Sequence, residues 1–286
     1  MPHLHHGALG SFPVSLFLVI FTALAYLRGW LQLRSTSLKV IEAWRAGSFV
    51  LGLFSIWAAL ASPIAVWDEA LLTGHMIQHL LLMTFAPPLI LLGEPVMLLL
   101  HGLPRGFVRS IIGPLFRWRP VQVQQLGRGF AQPALCWLAA VAALVVWHVP
   151  AAFTLGMQSE AWHVVEHASF LGTGLLFWWP VVQPWPSVSR RPDWSIILYL
   201  FLATLPCDIL SGFLVFSERV AYPVYLSTSG QSSLSVLADQ QCAGALMWTC
   251  VTIVYLVAGA ILSTHLLSPQ SSAAREIDTQ SLEVLL

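Results

Sequence analysis

The stretch Leu71–Leu100, LLTGHMIQHLLLMTFAPPLILLGEPVMLLL, decides how the rest of the chain is read. It is apolar enough to enter a bilayer, yet it holds His75 and His79, with Met76 and Met83 beside them. At 3.6 residues per turn, positions i and i+4 share one helix face about 6 Å apart along the axis. Two imidazoles arranged this way can share a metal ion. Ionisable groups in a membrane helix are costly and face a bundle interior or a cavity, which makes them candidates for function. Pro87-Pro88 removes two backbone donors and is expected to kink or end the helix, with Gly93-Glu94-Pro95 as a second break.

Composition sets the class. The 286 residues are 57% hydrophobic and 9% charged, against roughly 25% charged in soluble domains, so the chain reads as an integral membrane protein whose partner is the lipid bilayer. The formal net charge is zero, and nothing points to nucleic acid. Thirteen tryptophans suit two interfaces that need anchoring. Cys136, Cys207, Cys242 and Cys250 form no CxxC pair, so no disulfide framework is expected. The start, MPHLHHGALGSF, lacks the basic n-region of a cleavable signal, and its first apolar run is expected to stay as a helix.

About 20 apolar residues are needed to cross a bilayer. Seven runs meet that length: Ser11–Arg28, Ala46–Trp67, Leu71–Leu92, Pro133–Ala152, Ala161–Val182, Trp194–Phe216 and Gln241–Thr264. The expected fold is therefore all-α, a polytopic seven-transmembrane-helix bundle. Residues 1–10 form a short polar, histidine-containing segment, 11–267 the membrane domain and 268–286 a cytoplasmic tail. No internal repeat is visible. Twelve of the thirteen basic residues fall on one side of this topology, and only Arg219 falls on the other. The positive-inside rule then puts the N-terminus outside and the C-terminus in the cytoplasm.

That orientation collects the unusual polar residues at one depth, in the outer leaflet. His75 and His79 open the third span, and His148 of Trp147-His148-Val149-Pro150 ends the fourth. His163 and His167 open the fifth in AWHVVEHASF, Asp208 sits in the sixth, and Asp239, Cys242 and Met247 belong to ADQQCAGALMW in the last. His101 and His265 lie apart. A closed metal site takes three or four ligands; imidazole suits copper, zinc or iron, and sulfur favours Cu(I). The predicted set is His75, His79, His148, His163 and His167, with Asp208, Asp239, Met76 and Met247 as further ligands or supports.

Plain structural readings compete at each position. A single membrane histidine is more often a hydrogen-bonding residue than a ligand, but two HxxxH pairs at matching depth are harder to explain that way. Asp208 fits the role of a carboxylate that orients a metal-bound imidazole. The methionines fit a lipid-facing or core role equally well, and His3, His5 and His6 fit a solvated tail. The run FWWPVVQPWP at Phe177–Pro186 reads as an aromatic belt at the inner surface.

Taken in order, HMIQHLLLMTFAPPLILLGEP, WHVP, HVVEHASFLGTGLLFWWP and ADQQCAGALMW resemble the multi-spanning, seven-helix CtaG family of cytochrome c oxidase assembly factors. The resemblance runs from about the second span to the seventh. It implies a role in maturing a haem-copper oxidase in the bacterial plasma membrane, with an oxidase subunit as partner and copper as the metal handled. Carried over by position, the family's histidine motifs fall on His75, His79, His148, His163 and His167, and its acidic motif on Asp239. Two other readings stay open: a haem binder with axial histidines from spans three and five, and an intramembrane zinc hydrolase with three histidines, a water and an aspartate base. No nucleophile elbow, P-loop or dinucleotide fingerprint supports another enzyme class.

Overall fold

A computed structural model describes residues 5–36, 42–62, 67, 68, 70–104, 106, 110, 132–184, 194–228 and 234–267. All regular structure among the described residues is helical. In chain order it comprises α1 (His5–Thr36), α2 (Ala43–Ala61), α3 (Leu72–Leu80), a π-helical segment (Leu81–Phe85), α4 (Ala86–Leu92) and α5 (Pro95–Gly102). Then come α6 (Pro133–His148), α7 (Pro150–Gln158), α8 (Glu160–Val182), α9 (Trp194–Phe216), a 3-10 turn (Pro223–Thr228) and α10 (Val236–Leu267).

Five stretches among the described residues are long and apolar enough to cross a membrane: Leu16–Arg34, Ala43–Ala61, Leu72–Leu92, Trp194–Phe216 and Val236–Thr264. A sixth is added if α6 and α7, bent by 77°, count as one span. The 23-residue α8 is not among them, because His163, Glu166 and His167 lower its hydropathy. Large apolar side chains such as Phe201, Ile209, Phe213 and Phe216 stand exposed along α9, as a hydrocarbon solvent permits. The basic residues Lys39, Arg105, Arg109, Arg117, Arg119, Arg128, Arg190, Arg191 and Arg275 lie outside the described residues, as do His3, the side chains of His5, His6 and His265, and the expected tail.

Several expected boundaries move for local reasons. The second apolar run extends to Trp67, but its helix stops at Ala61, with Ser62 extended ahead of Pro63. A residue before proline is driven out of the helical region. The same rule divides the fourth run at Val149-Pro150, where Val149 takes an extended conformation (φ −66°, ψ 127°) and α7 sets off at 77°.

The break expected at Pro87-Pro88 is not a break. The chain stays helical from Leu72 to Leu92, with the prolines in the first turn of α4, just past the π-helical segment. Pro87 has no N–H to offer the Met83 carbonyl one turn back. That carbonyl faces α8 instead, where a Cβ on Gly174 would come within 2.9 Å of both Met83 O and Pro87 Cγ. A missing side chain thus lets α8 press against the irregular turn, as small residues do at membrane helix contacts. Gly174→Ala is expected to cost about 1–3 kcal/mol through overpacking; an unchanged unfolding temperature in detergent would contradict this packing.

The second break is real. Glu94 adopts a left-handed conformation (φ 52°) before Pro95 starts α5, a geometry costing a non-glycine residue about 1–2 kcal/mol. Arg45 of α2 offsets it by pairing with the Glu94 carboxylate at 3.2 Å and donating to Leu92 O. The hydroxyl of Tyr26, which stacks on Phe49, donates to Gly93 O at 2.6 Å. These contacts hold α1 and α2 against the end of α4.

The FWWPVVQPWP run is not a surface belt where it is described. Phe177 and Trp178 are buried, and Phe177 stacks between Tyr199 of α9 and Tyr255 of α10. The Tyr199 hydroxyl donates to Phe177 O at 2.9 Å. An aromatic belt and an aromatic core have the same composition, so only packing separates them.

Candidate metal centre

Three helices bring the five histidines together. His75 and His79 lie on one face of α3, His148 ends α6, and His163 and His167 lie on one face of α8. Ring centroids are 4.1 Å apart for His75–His79, 5.9 Å for His75–His163, 6.1 Å for His79–His148, 6.0 Å for His79–His167 and 4.2 Å for His163–His167.

Two carboxylates not expected from the sequence complete the cluster. Asp68 stands in the turn between α2 and α3, and Glu166 lies on α8 between the two histidines. His75 Nδ1 donates to Asp68 Oδ1 at 2.5 Å, and Asp68 Oδ2 lies 3.2 Å from His163 Nε2. Burial pushes the Asp68 carboxyl up, but the His75 and His163 imidazoles outweigh it and hold the group well below the usual carboxylate range. His75 turns its Nε2 towards Glu166 Oε1 at 3.5 Å, and His79 Nε2 stands 3.3 Å from the same oxygen.

The donor set fits a metal ion. Eight ring-nitrogen and carboxylate-oxygen atoms here are buried with no hydrogen-bond partner: His75 Nε2, both nitrogens of His79, the Nε2 atoms of His148, His163 and His167, and both oxygens of Glu166. Each unsatisfied buried group costs about 1–3 kcal/mol. A tetrahedral ion with bonds of about 2.0–2.1 Å places its ligands about 3.3–3.4 Å apart, and the 3.3 and 3.5 Å separations match that edge. Two overlapping groups, Asp68–His75–His163 and His75–His79–Glu166, each bring their donor atoms within 4.8 Å of one another. His148 shares the orientation of a ligand: Nδ1 donates to Leu144 O at 2.7 Å and leaves Nε2 bare.

The other predicted residues fall elsewhere. Asp208 is half-buried on α9 and makes no hydrogen bond or ion pair with the cluster. Asp239 does not join it either. Its carboxylate accepts from Leu72 N at 2.6 Å, Thr73 N at 3.3 Å and Thr73 Oγ1 at 2.6 Å, so both oxygens serve the N-terminus of α3. Neighbouring Gln240 pins the segment after α9, accepting from Ala221 N and donating to Leu214 O and Arg219 O. From that segment Tyr222 donates to His148 O and Tyr225 to Asp68 O. Met76 and Met247 line a cavity beside the cluster, on which His79 and His148 also border.

Gly74 explains how Asp68 reaches His75. A Cβ there would lie 2.7 Å from the Trp67 carbonyl carbon, so only glycine lets the Trp67–Asp68 turn rest on α3. Outer partners that orient a metal-bound histidine are typically worth 10–100-fold in metal affinity. Asp68→Asn is expected to weaken metal binding by that factor, and Gly74→Ala to do the same by lifting the turn. Competition titrations with a chelator measure both, and unchanged affinity in either variant would contradict the orienting role.

Comparison with known proteins adds the family. A family model described as cytochrome c oxidase caa3 assembly factor (Caa3_CtaG) matches residues 24–268. The chain is 24% identical over 264 residues to a protein named "Uncharacterized protein ML1998" of Mycobacterium leprae, and 24% identical over 263 residues to "Uncharacterized protein Mb0105" of Mycobacterium bovis. Each match covers 90% of this chain but 39% of the relative, so the chain spans well under half the length of the curated relatives it matches. No solved structure matches it. With its helical bundle, its apolar spans and most of its length inside the matched region, the chain belongs to the cytochrome c oxidase caa3 assembly factor family.

Proposed function

We propose that the protein binds copper as cargo at the centre formed by His75, His79 and Glu166, with His148, His163 and His167 around it, and passes it to a subunit of a cytochrome c oxidase during assembly. One observation carries this reading: His75, His79 and Glu166 hold buried donor atoms without a hydrogen-bond partner, within 4.8 Å of one another, in a chain of an oxidase-assembly family. A transfer site needs more candidate ligands than one coordination sphere uses, so that bonds can be exchanged in turn; five histidines and two carboxylates supply that surplus. The role is a carrier's rather than an enzyme's.

The topology that goes with it has seven crossings, N-terminus outside and C-terminus cytoplasmic, in a bacterial plasma membrane. At 1.5 Å per residue, the 23 residues of α8 reach about 35 Å, enough for a hydrocarbon core of about 30 Å. Its polar residues turn towards the bundle, as Glu166, fully buried, illustrates. The cluster then lies in the outer leaflet.

Zinc is the second reading, because two histidines, a glutamate and a carboxylate behind one imidazole are also a zinc donor set. It would make the protein a hydrolase that purifies with zinc. Haem fits poorly, since rings packed 4.1–6.1 Å apart leave no slot for a macrocycle between them. The test is genetic and chemical together. In cells lacking the native protein, the wild-type chain is expected to restore copper in the purified oxidase, and the His79→Ala/His167→Ala variant is not. Full copper loading with the double variant would rule the proposal out.

A further inference from the structure

The cavity next to the histidine–carboxylate cluster has a different chemistry from the cluster itself. It measures about 40 Å³ and is lined by Met76 of α3, Met83 of the π-helical segment, Cys207 of α9 and Met247 of α10, with the rings of His79 and His148 at its edge. Six methionines and four cysteines make ten sulfur-bearing residues in the chain, and four of them meet here from four different helical segments. Met76, Cys207 and Met247 are all buried.

Two polar side chains that line the chamber carry buried nitrogens without a hydrogen-bond partner. Both nitrogens of His79 and Nε2 of His148 are buried without a hydrogen-bond partner, and each residue is 6% exposed. The remaining walls are mostly apolar, among them Leu144, Phe170 and Val251, with the hydroxyl-bearing Thr84 and Tyr255 as the other polar residues. A water molecule needs about 10–15 Å³ of such volume and two to four polar partners. The space suits a small occupant, and its thioethers are weak partners for a water. Thioether and thiol sulfur select soft monovalent Cu(I), whereas nitrogen and carboxylate oxygen suit Cu(II) or Zn(II).

We infer that this chamber is a second metal site, for a soft monovalent cation of the Cu(I) type, distinct from the nitrogen–oxygen centre and joined to it through His79 and His148. The inference rests on the copper reading above and divides its metal chemistry into two compartments. It also reassigns Met76 and Met247 from the histidine centre to a site of their own, with Met83 and Cys207 as partners. His79 and His148 border both, so a Cu(I) ion moving between them with its oxidation state unchanged exchanges ligands without leaving protein donors.

The experiment uses the full chain purified in detergent and loaded with one equivalent of Ag(I), a spectroscopically silent mimic of Cu(I). X-ray absorption at the silver edge is expected to show sulfur scatterers. Met76→Leu/Met247→Leu, with or without Cys207→Ser, is expected to lose that scattering and to weaken Ag(I) binding at least about 10-fold. Glu166→Gln should lower Cu(II) uptake while the Ag–S signal persists. Silver surrounded only by nitrogen or oxygen in the wild-type protein overturns the inference, whether or not the variants fold. So does Ag(I) affinity unchanged by the methionine substitutions. A protein that shows Ag–S scattering but takes up no Cu(II) at the histidine centre overturns the transfer proposal and leaves the soft site standing.

Discussion

His75→Ala is expected to lower copper affinity by more than about 100-fold, beyond the 10–100-fold typical of losing an outer partner. His75 is the hinge of the centre. Its Nδ1 meets Asp68 and its Nε2 faces Glu166, so its removal takes away a ligand and separates the two donor groups that share it. It also leaves Asp68, 2% exposed, as a buried carboxylate whose shortest contact is gone. Breaking a buried pair in this way costs about 3–5 kcal/mol, so the metal-free variant should also unfold at lower temperature. His101→Ala is the control, because that ring is exposed and, among the described residues, bonds Met97 O. Equal losses in the two variants would mean that the affinity reports general damage rather than ligation. Oxidase from cells carrying only His75→Ala is expected to lack copper.

Asp239→Ala should have the next largest effect, for a different reason. Three donors at the start of α3 end on this one side chain, and a buried donor left unpaired costs about 1–3 kcal/mol. The carboxylate also sits at the positive end of the helix dipole. A total loss of about 2–4 kcal/mol is expected, bounded below by ordinary helix-cap deletions. Since His75 lies three residues beyond Leu72, fraying of this turn displaces the first ligand, so metal affinity should fall with stability. Asp239→Asn keeps one acceptor oxygen and should show roughly half of the stability loss. A variant with lowered stability but unchanged metal affinity would separate the cap from the centre and contradict the link drawn here.

The histidines were legible in the sequence because helical periodicity is a local property. Two HxxxH pairs and the WHVP end of α6 needed only the 3.6-residue repeat and the alternation of spans to be placed at one depth. The carboxylates were not legible in the same way. Depth along a span says nothing about which way a side chain faces around the helix axis, so Asp208 and Asp239 shared the layer without sharing the centre. Glu166 stood in plain view within HVVEH, three residues after His163 and so close to its face, and that spacing was the usable signal. Asp68 stands just past the end of an apolar run, and its proximity to His75 depends on a turn that Gly74 admits.

The prolines teach the same lesson from the other side. Pro87-Pro88 reads as a break by local rules, but a π-helical turn and the close approach of α8 at Gly174 absorb it. Phe177 and Trp178 have a belt's composition and a core's packing. In each case tertiary contact decided what the local pattern left open.

The central claim is that imidazoles of α3 and α8, with Glu166, hold one copper ion in a buried centre. Copper-edge X-ray absorption on the purified full chain after loading with one equivalent of Cu(II) tests it most directly, because the signal counts the ligands of the bound ion. The account predicts two or more imidazole nitrogens and a carboxylate oxygen at about 2.0 Å, with the imidazole signature reduced by His79→Ala. Copper that binds with water or detergent-like oxygen ligands alone, or a spectrum that His79→Ala leaves unchanged, would contradict it.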